Sequence, residues 1–321
     1  MSALIPPAIR PDPARLSFDL DRRLESVVSI RAQIPEDAFT APMLGTQRQG
    51  SGVVIGERGL VLTIGYLVNE ADQVWLTTTS GRVVQGHPLA YDFVTGFALV
   101  QAMGDLDCPV MPRGSADDAG VGSEIVIAAG GGIGSALRSR LIGKREFAGY
   151  WEYLLDEALF AMPAHPHWGG TAVIGPDGRL IGIGSLLVQV GRDEKHTDDS
   201  NMVVPVDLLE PILDDLVRHG AADRPPRPWL GVYAAETHGG VVVANLADGG
   251  PGEAAGLEQG DLLVEVNEVP IGDLADFYRQ VWSLGEAGVE VPLTLLRENK
   301  SIGTVIQSAD RAAFMRRPRL H

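Results

Sequence analysis

From Gly50 onward, short apolar runs alternate with turns rich in Gly, Asp and Pro. SGVVIGERGLVLT places two apolar strands on either side of Glu57-Arg58-Gly59, which predicts a β-hairpin. QVWLTTTSGRVVQGHPLAYD predicts two more strands about Ser80-Gly81, and FALVQAM, EIVIAAG, RLIGKREFAGY, ALFAMPA, GGTAVIGPDGRLIGIGSLLVQV and SNMVVPV extend the series. No helical periodicity interrupts it before VDLLEPILDDLVRHG. A long run of short strands without intervening helices reads as β-barrels, not βαβ units. Upstream, LSFDLDRRLESVVSIRAQ predicts a short helix leading into the first strand. Residues 1–20, rich in proline at their start, read as an extended segment.

The barrel region is expected over residues 21–220 and closes on the helix VDLLEPILDDLVRHG. Pro205 precedes that helix, Asp207 is positioned to cap its first turn, and Gly220 ends it. AADRPPR (221–227) can continue neither a helix nor a central strand and reads as a stiff linker. A second domain is expected over 228–308, with strands WLGVYAA, GVVVANL, DLLVEVNEV and VPLTLLREN and helices GEAAGL and DLADFYRQVWSL. The basic stretch after it (309–321) reads as a frayed tail.

Composition narrows the function classes. The chain has 321 residues, enough for two or three cores. With 42 Asp and Glu against 26 Lys and Arg it carries a net charge of -16, which argues against a nucleic-acid surface. Cys108 is the only cysteine, so no intrachain disulfide forms, and its setting in GDLDCPVMP shows no sign of thiolate activation. No window is apolar enough for a spanning helix, and no secretory signal is apparent at the start. The expected compartment is therefore the cytoplasm, with the periplasm left open if the N-terminus is processed. The glycines of AAGGGIGSALRS lack a Walker ending and a βαβ setting and read as a barrel loop. His165 and His167 supply two nitrogens without a nearby thiolate or carboxylate, so neither a metal nor a cofactor is expected.

Trp229-Leu230-Gly231-Val232, the segment GGPGEAAGLEQGDLLVEVNEVPI and the helix that follows resemble a PDZ domain. GSGVVIGERGLVLTIGYLV, YDFVTGFALV, HWGGTAVIGPDGRLIGIG and SNMVVPVDLL resemble the chymotrypsin-like barrel of HtrA proteases, which also carry a C-terminal PDZ domain. The resemblance implies a mainly β fold, a trypsin-like double β-barrel followed by a PDZ domain. It also favours a homo-oligomer, a trimer above all, for which Phe18 is the one clear N-terminal aromatic.

The same resemblance assigns the triad histidine, aspartate and serine positions to Tyr66, Gly96 and Trp168, spaced by 30 and 72 residues. A phenol titrates near pH 10, glycine has no side chain, and an indole offers only a donor. Pro166, at the second oxyanion position, has no N–H. Asp92 and Ser185 are nearby polar residues that could in principle substitute. On these residues the expected protein is not an enzyme but an inactive protease-derived scaffold. It would bind peptide or protein ligands through the PDZ domain by strand addition, with Leu230, Gly231 and Val232 holding the carboxylate and Phe277, Tyr278 and Val281 supplying the groove wall. The alternative is an active HtrA-type serine endopeptidase using other residues or residues supplied in trans.

Overall fold

The computed structural model describes residues 4–193 and 196–316. The chain divides into two units. One contains the chain up to Arg145 together with Glu157–Asp223, and the other joins Glu146–Asp156 to Arg224–Arg316.

In the first unit, helix α1 (Leu20–Glu25) begins where the Asp19 carboxylate accepts the Arg22 N–H at 3.1 Å, and it runs into β1 (Val27–Gln33). After the short α2 (Ala41–Leu44) come β2 (Gln47–Gly56), β3 (Leu60–Ile64), β4 (Gln73–Thr77), β5 (Val83–Tyr91) and β6 (Phe97–Ala102). They close in the order β1-β2-β3-β6-β5-β4. A second closed barrel holds β7 (Glu124–Ala128), β8 (Ala136–Gly149), β9 (Tyr153–Met162), β10 (Ala172–Ile174), β11 (Leu180–Asp193) and β12 (His196–Pro205), in the order β10-β11-β12-β9-β8-β7. Each sheet closes on itself, so it has no terminal strand.

The period-two pattern of the sequence becomes the cores. Val28, Ile30 and Ala32 of β1 meet Val74 and Leu76 of β4 and Ala98 and Val100 of β6. Ile125, Ile127, Leu159, Val173, Ile181 and Val203 fill the second barrel.

Three local expectations change. The helix expected from Val206 exists only as α3 (Leu213–His219). Pro211 lacks an N–H to donate backward, so Val206–Leu208 is an isolated 3-10 turn. Asp207 does not cap that helix, because its carboxylate accepts the Ser115 hydroxyl at 2.5 Å and the Ala116 N–H at 2.7 Å. The N-terminal segment is not simply extended, since Pro7–Ile9 and Pro13–Arg15 form 3-10 turns. Residues 1–3 lie outside the described residues.

The second unit is built on β13 (Val232–Thr237), β14 (Gly240–Leu246), α4 (Pro251–Ala254), β15 (Leu262–Val266), β16 (Val269–Pro270), α5 (Leu274–Ser283), β17 (Glu290–Arg297) and β18 (Lys300–Gln307). The sheet runs β13-β14-β15-β17-β18 with β16 on β15, leaving β13 at an edge. The Asp273 carboxylate accepts the Asp276 N–H at 2.7 Å and starts α5, whose buried face carries Phe277, Tyr278 and Val281. Strand β18 carries no clear sequence signal because Ile306 is its only fully buried residue. The expected frayed tail instead forms a 3-10 turn at Arg311–Phe314, with the Phe314 ring centroid 4.8 Å from that of Trp229. Its residues 317–321 lie outside the described residues. No helix among the described residues is long and apolar enough to cross a membrane.

Leu159 is 0% exposed at the centre of the second barrel. Leu159→Ala is expected to cost about 2–5 kcal/mol, read as a lower denaturant midpoint at unchanged slope.

Candidate functional site

The loop that would carry a nucleophile is clamped from below by Ser51 of β2. The Ser51 N–H donates to the Gly169 carbonyl at 2.9 Å, and its carbonyl accepts the Thr63 hydroxyl at 2.7 Å. Its Oγ accepts the Gly130 N–H at 3.1 Å, which ties the glycine-rich loop to the same point. Gly170 has φ +74°, and a Cβ there would stand 1.8 Å from the Ser51 carbonyl oxygen, so only glycine fits. The loop is therefore held where the architecture needs it, whatever side chain precedes Gly169.

That side chain is Trp168, and it is hydrogen-bonded to the Tyr66 hydroxyl. Indole only donates, so the phenol oxygen accepts from Trp168 and donates to the Ser185 carbonyl at 2.6 Å. Burial pushes the phenol far above its ordinary range, the bond from Trp168 opposing it, so this hydroxyl stays protonated. Tyr66 sits on the short turn Gly65–Leu67 after β3, and the Gly65 N–H donates to the Gly96 carbonyl at 2.8 Å. Residues 66, 96 and 168 thus lie close together, Gly96 through its bond to Gly65 and Trp168 through its bond to the Tyr66 hydroxyl.

Nearby polar residues are also occupied. The Asp92 carboxylate accepts the Thr95 N–H at 2.8 Å and the Thr95 hydroxyl at 2.7 Å, closing its own turn. His165 is 0% exposed, its Nε2 hydrogen-bonds the Ser135 carbonyl at 3.0 Å, and its Nδ1 accepts the His167 N–H at 3.1 Å. These partners fix one neutral tautomer, and burial lowers the ring's pKa. Pro166 is exposed between the two histidines. Half-buried Cys108 has its thiol pushed up, by burial first and then by acidic neighbours. Beside Trp168 an open hollow of about 810 Å³ is bounded by Met162, Pro166 and Leu187, with Asp198 and Asp199 also lining it. Phe18, the expected assembly aromatic, lies against Gly178 of its own chain.

The second unit holds the other candidate residues. The turn Leu230-Gly231-Val232 points its amides inward and holds a carboxylate that belongs to the same unit. The Leu230 N–H donates to Glu152 Oε2 at 3.0 Å and the Val232 N–H to Glu152 Oε1 at 3.0 Å. On the edge of β13, the Ala234 N–H donates to the Tyr150 carbonyl at 2.9 Å. Tyr278 turns its polar end to this segment, its hydroxyl donating to the Gly149 carbonyl at 2.8 Å and accepting the Glu152 N–H at 3.2 Å. Phe277 and Val281, expected beside it, are buried in the unit's apolar core. Arg279 pairs with Glu146 and, at 2.7 Å, with Asp156. The Arg311 guanidinium donates to the Trp151 carbonyl at 3.1 Å. Burial pushes the Glu152 carboxyl up to about 7, against the downward pull of the cradle amides and Arg311.

A trypsin-like peptidase domain family matches residues 50–183, and a PDZ domain family matches residues 228–306. The chain is therefore a trypsin-like domain followed by a C-terminal PDZ domain. Among curated relatives, the serine endoprotease DegS of Salmonella typhimurium is 24% identical over 90% of this chain and 84% of its own length. A probable periplasmic serine endoprotease, DegP-like, of Halomonas elongata is 23% identical over 81% of this chain and 56% of its own length. Among solved structures, the HtrA-type protease AlgW with a decapeptide superposes with a TM-score of 0.54. Its sequence is 19% identical, and the match covers 94% of this chain and 98% of that one.

The likeness to trypsin-like serine proteases of the HtrA/DegS type that carry a PDZ domain is thereby supported. These findings correct the expectation of a non-enzymatic, inactive scaffold. The relatives are named serine endoproteases, and the active-endopeptidase alternative fits them better. The cytoplasmic expectation is likewise unsupported, since a relative is named periplasmic.

Two outcomes follow from the geometry. Tyr66→Phe leaves the buried Ser185 carbonyl without its 2.6 Å donor and is expected to cost about 1–3 kcal/mol, measured by chemical unfolding. Glu152 holds its proton more tightly docked, with a pKa of about 7, than its ordinary 4.5. Docking is therefore strongest below pH 4.5, weakens as pH rises through the window to 7, and is weakest above it. Amide-exchange protection of Leu230, Val232 and Ala234, corrected for intrinsic rate, is expected to be lower at pH 8 than at pH 5.

Proposed function

We propose that this chain acts on polypeptides as a serine endopeptidase of the HtrA type. The observation that carries this reading is the extent of the likeness to a protein named a serine endoprotease, over 90% of this chain and 84% of that relative. Tyr66, Gly96 and Trp168 occupy the triad positions in this reading and contribute neither nucleophile nor base. The reacting groups then come from other residues, or from a second copy of the chain within a trimer. Peptide recognition is assigned to the Leu230–Val232 cradle, with Tyr278 of α5 on the groove wall. The periplasm is the compartment this reading takes, in line with the name of the Halomonas relative.

The test is hydrolysis of casein and of a peptide library that includes Lys- and Arg-rich members, because Asp198 and Asp199 line the hollow beside Trp168. A fluorophosphonate probe is run in parallel. Turnover is expected to co-purify at constant specific activity and to persist within a few-fold in Trp168→Ala. Absence of both turnover and labelling in the folded, assembled protein overturns the reading.

A further inference from the structure

A strand-adding peptide offers two kinds of group to its receptor: a main-chain carbonyl for the sheet edge and, just beyond it, a carboxylate for the backbone turn. Both receiving groups are already engaged here from within the chain. The Tyr150 carbonyl takes the Ala234 N–H of edge strand β13, and two residues on, the Glu152 carboxylate takes the N–H groups of Leu230 and Val232. On the peptide-binding reading of this turn, a side-chain carboxylate stands where a peptide terminus would sit. Glu152 has φ +58°, in the left-handed region that non-glycine residues enter at a cost of about 1–3 kcal/mol. That turn delivers the side chain into the cradle while the main chain continues into β9. Leu154 then anchors in the apolar core of the unit, and Arg279 pairs with Glu146 and Asp156 on the two arms of the tip.

We propose that the hairpin tip Glu146–Asp156 is a resident ligand of the carboxylate cradle, so that an external peptide carboxylate binds there only by displacing Glu152. The inference rests on the peptide-binding reading of the cradle and not on hydrolysis. A tethered ligand acts at an effective concentration of about millimolar or more. The apparent Kd of an external peptide is the intrinsic value divided by the fraction of open groove. The groups packed around the carboxylate are Tyr278, Tyr233 and Arg311 together with the cradle amides. A competitor of this chemistry is an extended peptide carrying one carboxylate two residues beyond a strand-pairing carbonyl.

The probe is a fluorescein-labelled peptide of residues 146–156, C-terminally amidated, titrated into the full-length protein and followed by anisotropy. Each hydrogen bond lost in cis is worth about 0.5–1.5 kcal/mol and Glu152 accepts from both Leu230 and Val232, so Glu152→Ala is expected to bind the probe about tenfold more tightly than wild type. Arg279→Ala, an exposed position away from the cradle, is expected to tighten it several-fold and decides the matter should Glu152→Ala not fold. A probe carrying Glu152→Gln is expected to bind either variant more weakly. Equal affinity for wild type and the folded variants overturns resident occupancy while leaving the cradle as a peptide site. No binding to any folded form overturns both. Neither result bears on hydrolysis, which is read separately.

Discussion

The first unit depends on the approach of Gly170 to the Ser51 carbonyl. A Cβ at that position would stand 1.8 Å from the oxygen, so the chain after Trp168 can take its path only with glycine there. Once that approach is made, the Ser51 amide and hydroxyl fix the Gly169 carbonyl and the Gly130 amide. One residue of β2 thereby holds two loops of the second barrel. Tight backbone packing of this kind tolerates little displacement, because protein interiors are filled at near-crystalline density. The path of the loop is therefore set by its glycines and by Ser51, not by the side chain at position 168.

Filling the position changes its electrostatics. Bringing an indole N–H and a phenol hydroxyl into a buried space is tolerable only if each finds a partner, since an unpaired buried polar group costs about 1–3 kcal/mol. Trp168, Tyr66 and the Ser185 carbonyl solve this jointly, in one direction of donation. The outcome is a rigid connection where proton transfer would require groups able to change protonation near neutrality.

Much of this architecture was legible in the sequence. Alternation along VVSIRAQ gave a barrel strand with one buried face, the continuous apolar run of FALVQA gave one buried on both, and glycine-bearing turns marked strand ends. The identities at 66, 96 and 168 were readable, but the donor chain linking 66 and 168 was not, since it involves a carbonyl 119 residues from Tyr66. Pro211 could have been read as delaying the helix, since a proline denies its own turn a donor. Nothing in EFAGYWEYLLD signalled that this hairpin tip belongs with a domain beginning some seventy residues later. Glutamate at a loop tip looks solvated until the amides of Leu230 and Val232 are placed around it. Strand periodicity reports which face is buried, not which distant backbone turn supplies an acceptor's donors.

The need of those amides for an acceptor explains why the second unit incorporates the segment Glu146–Asp156. A turn that points successive N–H groups inward forms an anion site, and leaving it empty and dry would expose the unit to the same desolvation cost that drives ligand binding. Water, an external carboxylate or a chain-borne carboxylate can each satisfy it, and the chain-borne group needs the least ordering because its ends are already anchored. Its drawback is burial of charge, visible in the upward displacement of the Glu152 carboxyl to about 7. The two effects oppose each other at the same atoms, so the resident contact is stabilising without being irreversible. On the proposal that the cradle takes peptide carboxylates, this balance lets Glu152 occupy it and still be displaced.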